Sequence, residues 1–146
     1  MTNPALTTKP VVLFICQHNA GRSQLGAHLL DIVAPGEFVS TSAGLNPASE
    51  INPVVAESLH ELGADTSTSR PRLVTEEDLA SADVVVTMKP RLALPGPIGG
   101  RLVEWEFPNP EEWDIDGVRG MRDAVASQVR ALAVDLVAQR GAPTGD

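Results

Sequence analysis

Cys16 and Arg22 are separated by Gln17-His18-Asn19-Ala20-Gly21, and Ser23 follows directly. A thiolate is a strong nucleophile. A guanidinium offers a planar fork of donors that matches two oxygens of a phosphate-like group. Gly21 lets the backbone curl closely around a ligand, and Asn19 carries a side chain suited to bracing such a loop from within. Ser23 is placed to donate its hydroxyl to the sulfur. The implied chemistry is capture of a tetrahedral oxyanion by Gln17, His18, Asn19, Ala20, Gly21 and Arg22, with attack by Cys16. The simpler reading of a lone cysteine is a buried small hydrophobe. What surrounds Cys16 reverses that preference, provided that the neighbouring elements place the loop correctly.

Those elements are legible. Pro10 to Ile15 is a continuous β-branched and aromatic run, the pattern of a strand covered on both faces. Ser23 to Val33 spaces Leu25, Leu29, Ile32 and Val33 for one helix face, and Pro35-Gly36 stops it. The Cys16–Arg22 loop therefore joins the carboxyl end of a buried strand to a helix N-terminus. Ligands of parallel sheets bind at such ends. The helix contributes unpaired N–H groups and partial positive charge, a field that favours thiolate over thiol.

Further along, Glu37 to Ser42 reads as a second strand. Pro53 opens a helix carrying Val54, Val55, Leu59 and Leu62, with Gly63 beyond as a stop. Thr66 to Arg72 is a polar loop in which Arg70 and Arg72 read as surface residues. Thr75-Glu76-Glu77-Asp78 is an N-cap with an acidic first turn, opening a helix that reaches Ala80 or Ala82. Asp83 to Met88 is another buried-type strand, 89–100 is a proline- and glycine-rich loop, and Arg101 to Trp105 is a fourth strand. After a loop over 107–116, Gly117 to Arg140 forms the longest helix, striped by Val118, Met121, Val125, Val129, Leu132 and Leu136. The alternation predicts a single α/β domain: a four-stranded parallel sheet flanked by helices on both faces. Residues 1–9 read as a disordered lead-in, 10–140 as the domain and 141–146 as a tail.

The 146 residues are 42% apolar, enough for one compact domain with a core. No apolar run nears the ~20 residues of a membrane span, and the first nine residues are too polar for a secretory signal, so the expected compartment is the cytoplasm. A net charge of −8 argues against nucleic acid as a partner. A single cysteine excludes an internal disulfide and a thiolate-rich metal site. His18, His28 and His60 are not spaced as metal ligands, and no metal or bound cofactor is expected.

The run Phe14 to Gln24 resembles the anion loop of the low-molecular-weight tyrosine phosphatase superfamily. Its Asn19-Ala20-Gly21-Arg22-Ser23-Gln24 wording is closest in character to the arsenate reductase branch. The resemblance continues through Ser42-Ala43-Gly44, Asn52-Pro53-Val54-Val55, Arg72-Leu73-Val74-Thr75 and Val86-Thr87-Met88, and covers residues 10 to 140. It implies that superfamily's fold, with Cys16 as nucleophile and Arg22 as oxyanion clamp.

Two departures qualify what it implies. An Asp-Pro pair on a late loop supplies a general acid in this superfamily. Trp105-Glu106-Phe107-Pro108-Asn109-Pro110 has Asn109 there, and an amide yields no proton at neutral pH. Glu111, Glu112 and Asp114 follow as substitutes, although solvent-facing roles are simpler for them; Trp105 and Trp113 flank Asn109 and read as packing residues. Thioredoxin-coupled reductases also carry further cysteines after a Val-Thr-Met strand, whereas this chain reads Met88-Lys89-Pro90-Arg91. The resemblance thus implies a monothiol arsenate reductase. Its oxyanion is arsenate or a phosphate-like ion, its co-substrate an external thiol (mycothiol favoured over glutathione), and its partner a glutaredoxin-like (mycoredoxin) protein. A phosphomonoesterase, and an oxyanion-binding or sensing protein without turnover, are the alternatives.

Overall fold

Strand β1, Val11–Cys16, is the spine of the molecule and is buried from Val12 onward. Its side chains alternate strictly. Val12, Phe14 and Cys16 enter one apolar cluster, while Leu13 and Ile15 enter the other. A computed structural model describes residues 9–141. The lead-in at 1–8 and the tail at 142–146 lie outside the described residues.

β1 pairs in parallel with β2 (Val39–Gly44) and with β3 (Val84–Thr87), which in turn pairs in parallel with β4 (Arg101–Glu104). The order is β2-β1-β3-β4, the four-stranded parallel sheet expected. Helices α1 (Arg22–Val33), α2 (Pro53–His60) and α4 (Ile115–Gly141) cover the Phe14 face. The short α3 (Glu76–Ser81) covers the other face through Leu79, among Leu13, Ile15, Val74 and Val85. Every position of the predicted α4 stripe from Val118 to Leu136 is buried.

The expected boundaries shift where pairing or capping overrides local pattern. β2 runs two residues beyond Ser42, because the register Val11↔Val39 to Cys16↔Gly44 extends it as far as β1; Phe38, before it, turns into the core. Ile32, in the last turn of α1, is 36% exposed, and Leu30 is buried instead. Leu62 falls outside α2 in the turn that Gly63 closes with φ 89°, and is exposed. Asp114 Oδ1 accepts the Gly117 N–H at 2.9 Å, so α4 starts at Ile115 rather than Gly117. Thr75 caps α3 as read, with a reciprocal Thr75–Asp78 capping box.

Gly26 explains how α1 lies so close to the sheet. A methyl group there would overlap the Phe14 ring. That approach sets the height of the α1 N-terminus above the end of β1, where Cys16 sits.

Candidate active site

The loop between β1 and α1 is shaped from outside, by its carbonyls. Cys16 O accepts from Leu45 N–H at 3.2 Å, Gln17 O from Asn46 N–H at 2.7 Å, His18 O from Ala48 N–H at 3.0 Å and Ala20 O from Asn52 N–H at 2.9 Å. Asn19 O accepts from Gln24 Nε2 at 3.0 Å. In a planar trans peptide the C=O of one residue and the N–H of the next point opposite ways. Five carbonyls tied outward therefore turn the N–H groups of residues 17 to 21 inward, a nest for an anion. Asn19 bears this out, since its N–H meets Cys16 Sγ at 3.2 Å. Among the described residues no acceptor is found for the N–H of His18, Ala20, Gly21 or Arg22.

Asn19 is fully buried and holds φ 53°, a left-handed conformation that Asn tolerates better than most residues. Its Oδ1 accepts the Arg72 N–H at 3.0 Å and its Nδ2 donates to Ser23 Oγ at 2.7 Å. The Arg72 amide fixes which atom is oxygen, because only Oδ1 can accept it. Ser23 Oγ thus receives one hydrogen bond and stands 3.0 Å from Cys16 Sγ, with its own hydrogen free to be given to a thiolate there. The buried sulfur lies within hydrogen-bond reach of the Asn19 N–H and the Ser23 hydroxyl. Gly44 makes room beneath: a Cβ there would stand 2.9 Å from Asn19 N and 3.0 Å from Gln17 O.

Arg22, 6% exposed, donates from Nη1 to Phe107 O at 3.1 Å. Phe107 is itself held, its N–H donating to Met88 O at 3.0 Å. Its ring lies edge-on to Trp105, which in turn tilts against Phe14. So the end of β3 fixes the late loop, and the late loop fixes the guanidinium. Pro110 then packs over the nest, with its Cγ 3.2 Å from where a Gly21 Cβ would be.

These pieces enclose a cavity of about 130 Å³ lined by Cys16, His18, Ala20, Gly21 and Arg22 from the loop. Ala48 and Asn52 line it from the β2–α2 connection, and Asn109, Pro110 and Glu111 from the late loop. The loop joins β1 to α1 as the sequence indicates; Gln17, Asn19 and Ser23, expected in the site, are not among the residues lining the cavity. His18 stands at the rim with Nδ1 on Asn46 O at 3.0 Å. Asn109 faces the nest, and its Oδ1 accepts the Glu111 N–H at 3.1 Å.

The other candidates divide. Glu111 reaches the cavity, whereas Asp114 caps α4 and Glu112 is exposed away from it. Neither tryptophan lines it. Arg72 pairs with Asp78 at 2.8 Å, as a surface residue does, yet its backbone N–H braces Asn19. The three histidines are apart: His28 bonds Ser69 Oγ and His60 bonds Thr66 Oγ1. Burial lowers the His28 pKa, and Asp31 and Asp65 oppose it. Among the described residues no group of three His, Cys, Asp or Glu is gathered for a metal, and no helix is long and apolar enough to cross a membrane. Asn46, Ala48 and Asn52 shape the site without having been singled out for it. Only Asn52-Pro53 left a trace, as an N-cap followed by proline.

A profile of the low molecular weight phosphotyrosine protein phosphatases matches residues 11–93. An arsenate reductase of Halalkalibacterium halodurans is 29% identical over 136 residues, covering 86% of this chain and 96% of that protein. A thioredoxin-dependent arsenate reductase of Corynebacterium glutamicum superposes with a TM-score of 0.78 at 34% identity, over 91% of this chain and 64% of that one. The tyrosine phosphatase Wzb of Escherichia coli K30, solved in complex with sulphate, shares the fold at 18% identity. Its TM-score is 0.75 over 88% of this chain and 99% of that one.

Proposed function

Because this chain belongs to the low molecular weight phosphotyrosine protein phosphatase family, we propose that it is an arsenate reductase that hands arsenate to an external thiol. The observation that carries the reading is the pairing of an intact anion nest around Cys16 with Asn109 where a phosphatase needs an acid. The arsenate reductase relatives support it.

The nest and Arg22 bind arsenate, and the Cys16 thiolate attacks arsenic. An S–As bond forms, an As–O bond breaks, and the oxygen leaves as water with one added proton. An external thiol RSH then displaces Cys16 from arsenic, giving RS–AsO₃²⁻ and restoring the thiolate. A second thiol attacks the sulfur of that adduct. The S–As electron pair stays on arsenic, which becomes As(III), and two thiols become one disulfide.

The Corynebacterium relative is named for thioredoxin, but turnover through a protein-borne disulfide needs a second sulfur, and this chain has only Cys16. The thiol is therefore a small one, with mycothiol favoured over glutathione, and a glutaredoxin-like protein of the mycoredoxin type reduces the mixed disulfide. Cys16→Ser tests the assignment. It should abolish arsenite formation while leaving phosphate binding nearly intact, because the donors belong to the backbone and Arg22. Arsenite formation that survives the substitution would refute it.

A further inference from the structure

The thiol-transfer scheme leaves a proton unassigned. One must reach the oxygen that leaves arsenic, and one must come off the incoming thiol. Asn109 can do neither. The late loop nevertheless brings one carboxyl group to the cavity. Glu111 lines it together with Cys16 and Arg22, while Glu112 and Asp114 stay outside. Two hydrogen bonds fold it back. Asn109 Oδ1 accepts the Glu111 N–H at 3.1 Å, and Asn109 Nδ2 faces Glu111 Oε2 at 3.5 Å. Pro110, between them, is wedged against Gly21, so the pair is anchored to the nest itself. At the same mouth His18 has Nδ1 engaged with Asn46 O, and Lys89 and Glu106 line the adjoining cleft beside Arg22 and Asn109 rather than the cavity around Cys16.

We propose that Glu111 is the proton carrier of this site and that Asn109 is its positioning residue. The proposal rests on the thiol-transfer reading above. In the first step the Glu111 carboxyl gives its proton to the departing oxygen as the As–O bond breaks, and water leaves. In the second the carboxylate takes the proton of RSH as sulfur bonds to arsenic and the Cys16 thiolate departs. The two steps sum to RSH + HAsO₄²⁻ → RS–AsO₃²⁻ + H₂O, with arsenic still As(V). The proton given up in the first step is regained in the second. Moving the carboxyl from position 109 to position 111 suits a reaction whose second nucleophile, a thiol, must also be deprotonated at the mouth.

The test uses the full chain and needs no thiol. Phosphate labelled with ¹⁸O exchanges its oxygen with water each time Cys16 displaces one and water returns, and phosphorus NMR reads the exchange. Glu111→Gln should slow exchange by roughly 10²-fold or more, the range of general acid–base catalysis. It should also remove the fall in rate towards high pH. Phosphate should still protect Cys16 from alkylation at the same concentration, which a merely structural role would not ensure. Glu111→Asp should restore part of the rate, and Glu112→Gln should match the unaltered protein. Arsenate turnover should fall with the exchange rate. If the unaltered protein exchanges oxygen but reduces no arsenate with any thiol, the arsenate reading fails and the role of Glu111 stands. Exchange at an unchanged rate in Glu111→Gln, or none in the unaltered protein, overturns the proposal.

Discussion

Around Cys16, a connected chain of hydrogen bonds links the Arg72 backbone to the sulfur. Arg72 N–H fixes Asn19 Oδ1, Asn19 Nδ2 donates to Ser23 Oγ, and the Ser23 hydroxyl stands 3.0 Å from the sulfur, placed to donate to a thiolate. A hydrogen bond to a charged group contributes about 1.5–3 kcal/mol. Ser23→Ala should therefore slow alkylation of Cys16 at neutral pH by about tenfold or more, with each 1.4 kcal/mol worth a factor of ten. Mass spectrometry of the alkylated chain reads it, and an unchanged rate would remove Ser23 from the account. A second prediction concerns Asn109→Asp. The new carboxyl would lie beside Glu111, and two close carboxyls hold one proton between them. Hydrolysis of aryl phosphates should rise at least tenfold, within the ~10²–10⁴ available to general acid catalysis, and least for the most acidic phenol. No gain on any ester would mean that position 109 does not face the leaving group. The placement of Cys16, Arg22, Asn19 and Ser23 was legible in the sequence because they sit within one short loop whose flanking pattern is unambiguous. The contributions of Asn46, Ala48 and Asn52 were not, because they act through backbone N–H groups that carry no side-chain signature. The contribution of Glu111 was visible only as one of three acids. Which of them lines the cavity is decided by the Asn109 turn and by the cap that Asp114 makes.

Among the elements, strand and helix types followed from periodicity, and the errors sit at the ends. β2 extended because its partner extends, and α4 began early because Asp114 supplied a cap. Neither fact is local to the residues concerned. The junction of α2 with α4 carries an ion network that sequence spacing does not reveal. Glu61, just beyond α2, accepts Arg119 Nη2 at 2.6 Å and Arg122 Nη1 at 2.8 Å, and Arg122 also reaches Ser58 O. Hydrogen bonds from Arg119, then from Arg122, hold the Glu61 carboxyl at about 2, below its usual 4.5. A folded-state pKa below the unfolded one stabilises the fold above the unfolded value and loses that contribution as pH falls through the folded one. Stability should thus decline between about pH 4.5 and 2. Glu61→Gln should flatten that decline in denaturant titrations at stepped pH. An equally steep decline in the variant would show that other carboxylates govern acid lability.

At the scale of the whole molecule, an acidic chain of net charge −8 holds an anion site assembled from neutral backbone donors and one buried guanidinium. A negative overall charge is therefore compatible with a small oxyanion site. The parallel sheet places the nest at the end of β1, α1 aims its N-terminus at it, and β3 and β4 deliver the loop that closes over it. The chain carries one cysteine, so the thiol-transfer reading requires the electrons to come from outside. The most direct measurement is arsenite formation by the full chain in parallel reactions. One contains thioredoxin and its reductase alone, and the others contain mycothiol or glutathione with a glutaredoxin-like protein. Negligible product with thioredoxin and sustained product with a small thiol, mycothiol foremost, is the predicted result. Robust turnover with thioredoxin and no added thiol, or none with any thiol, would contradict it.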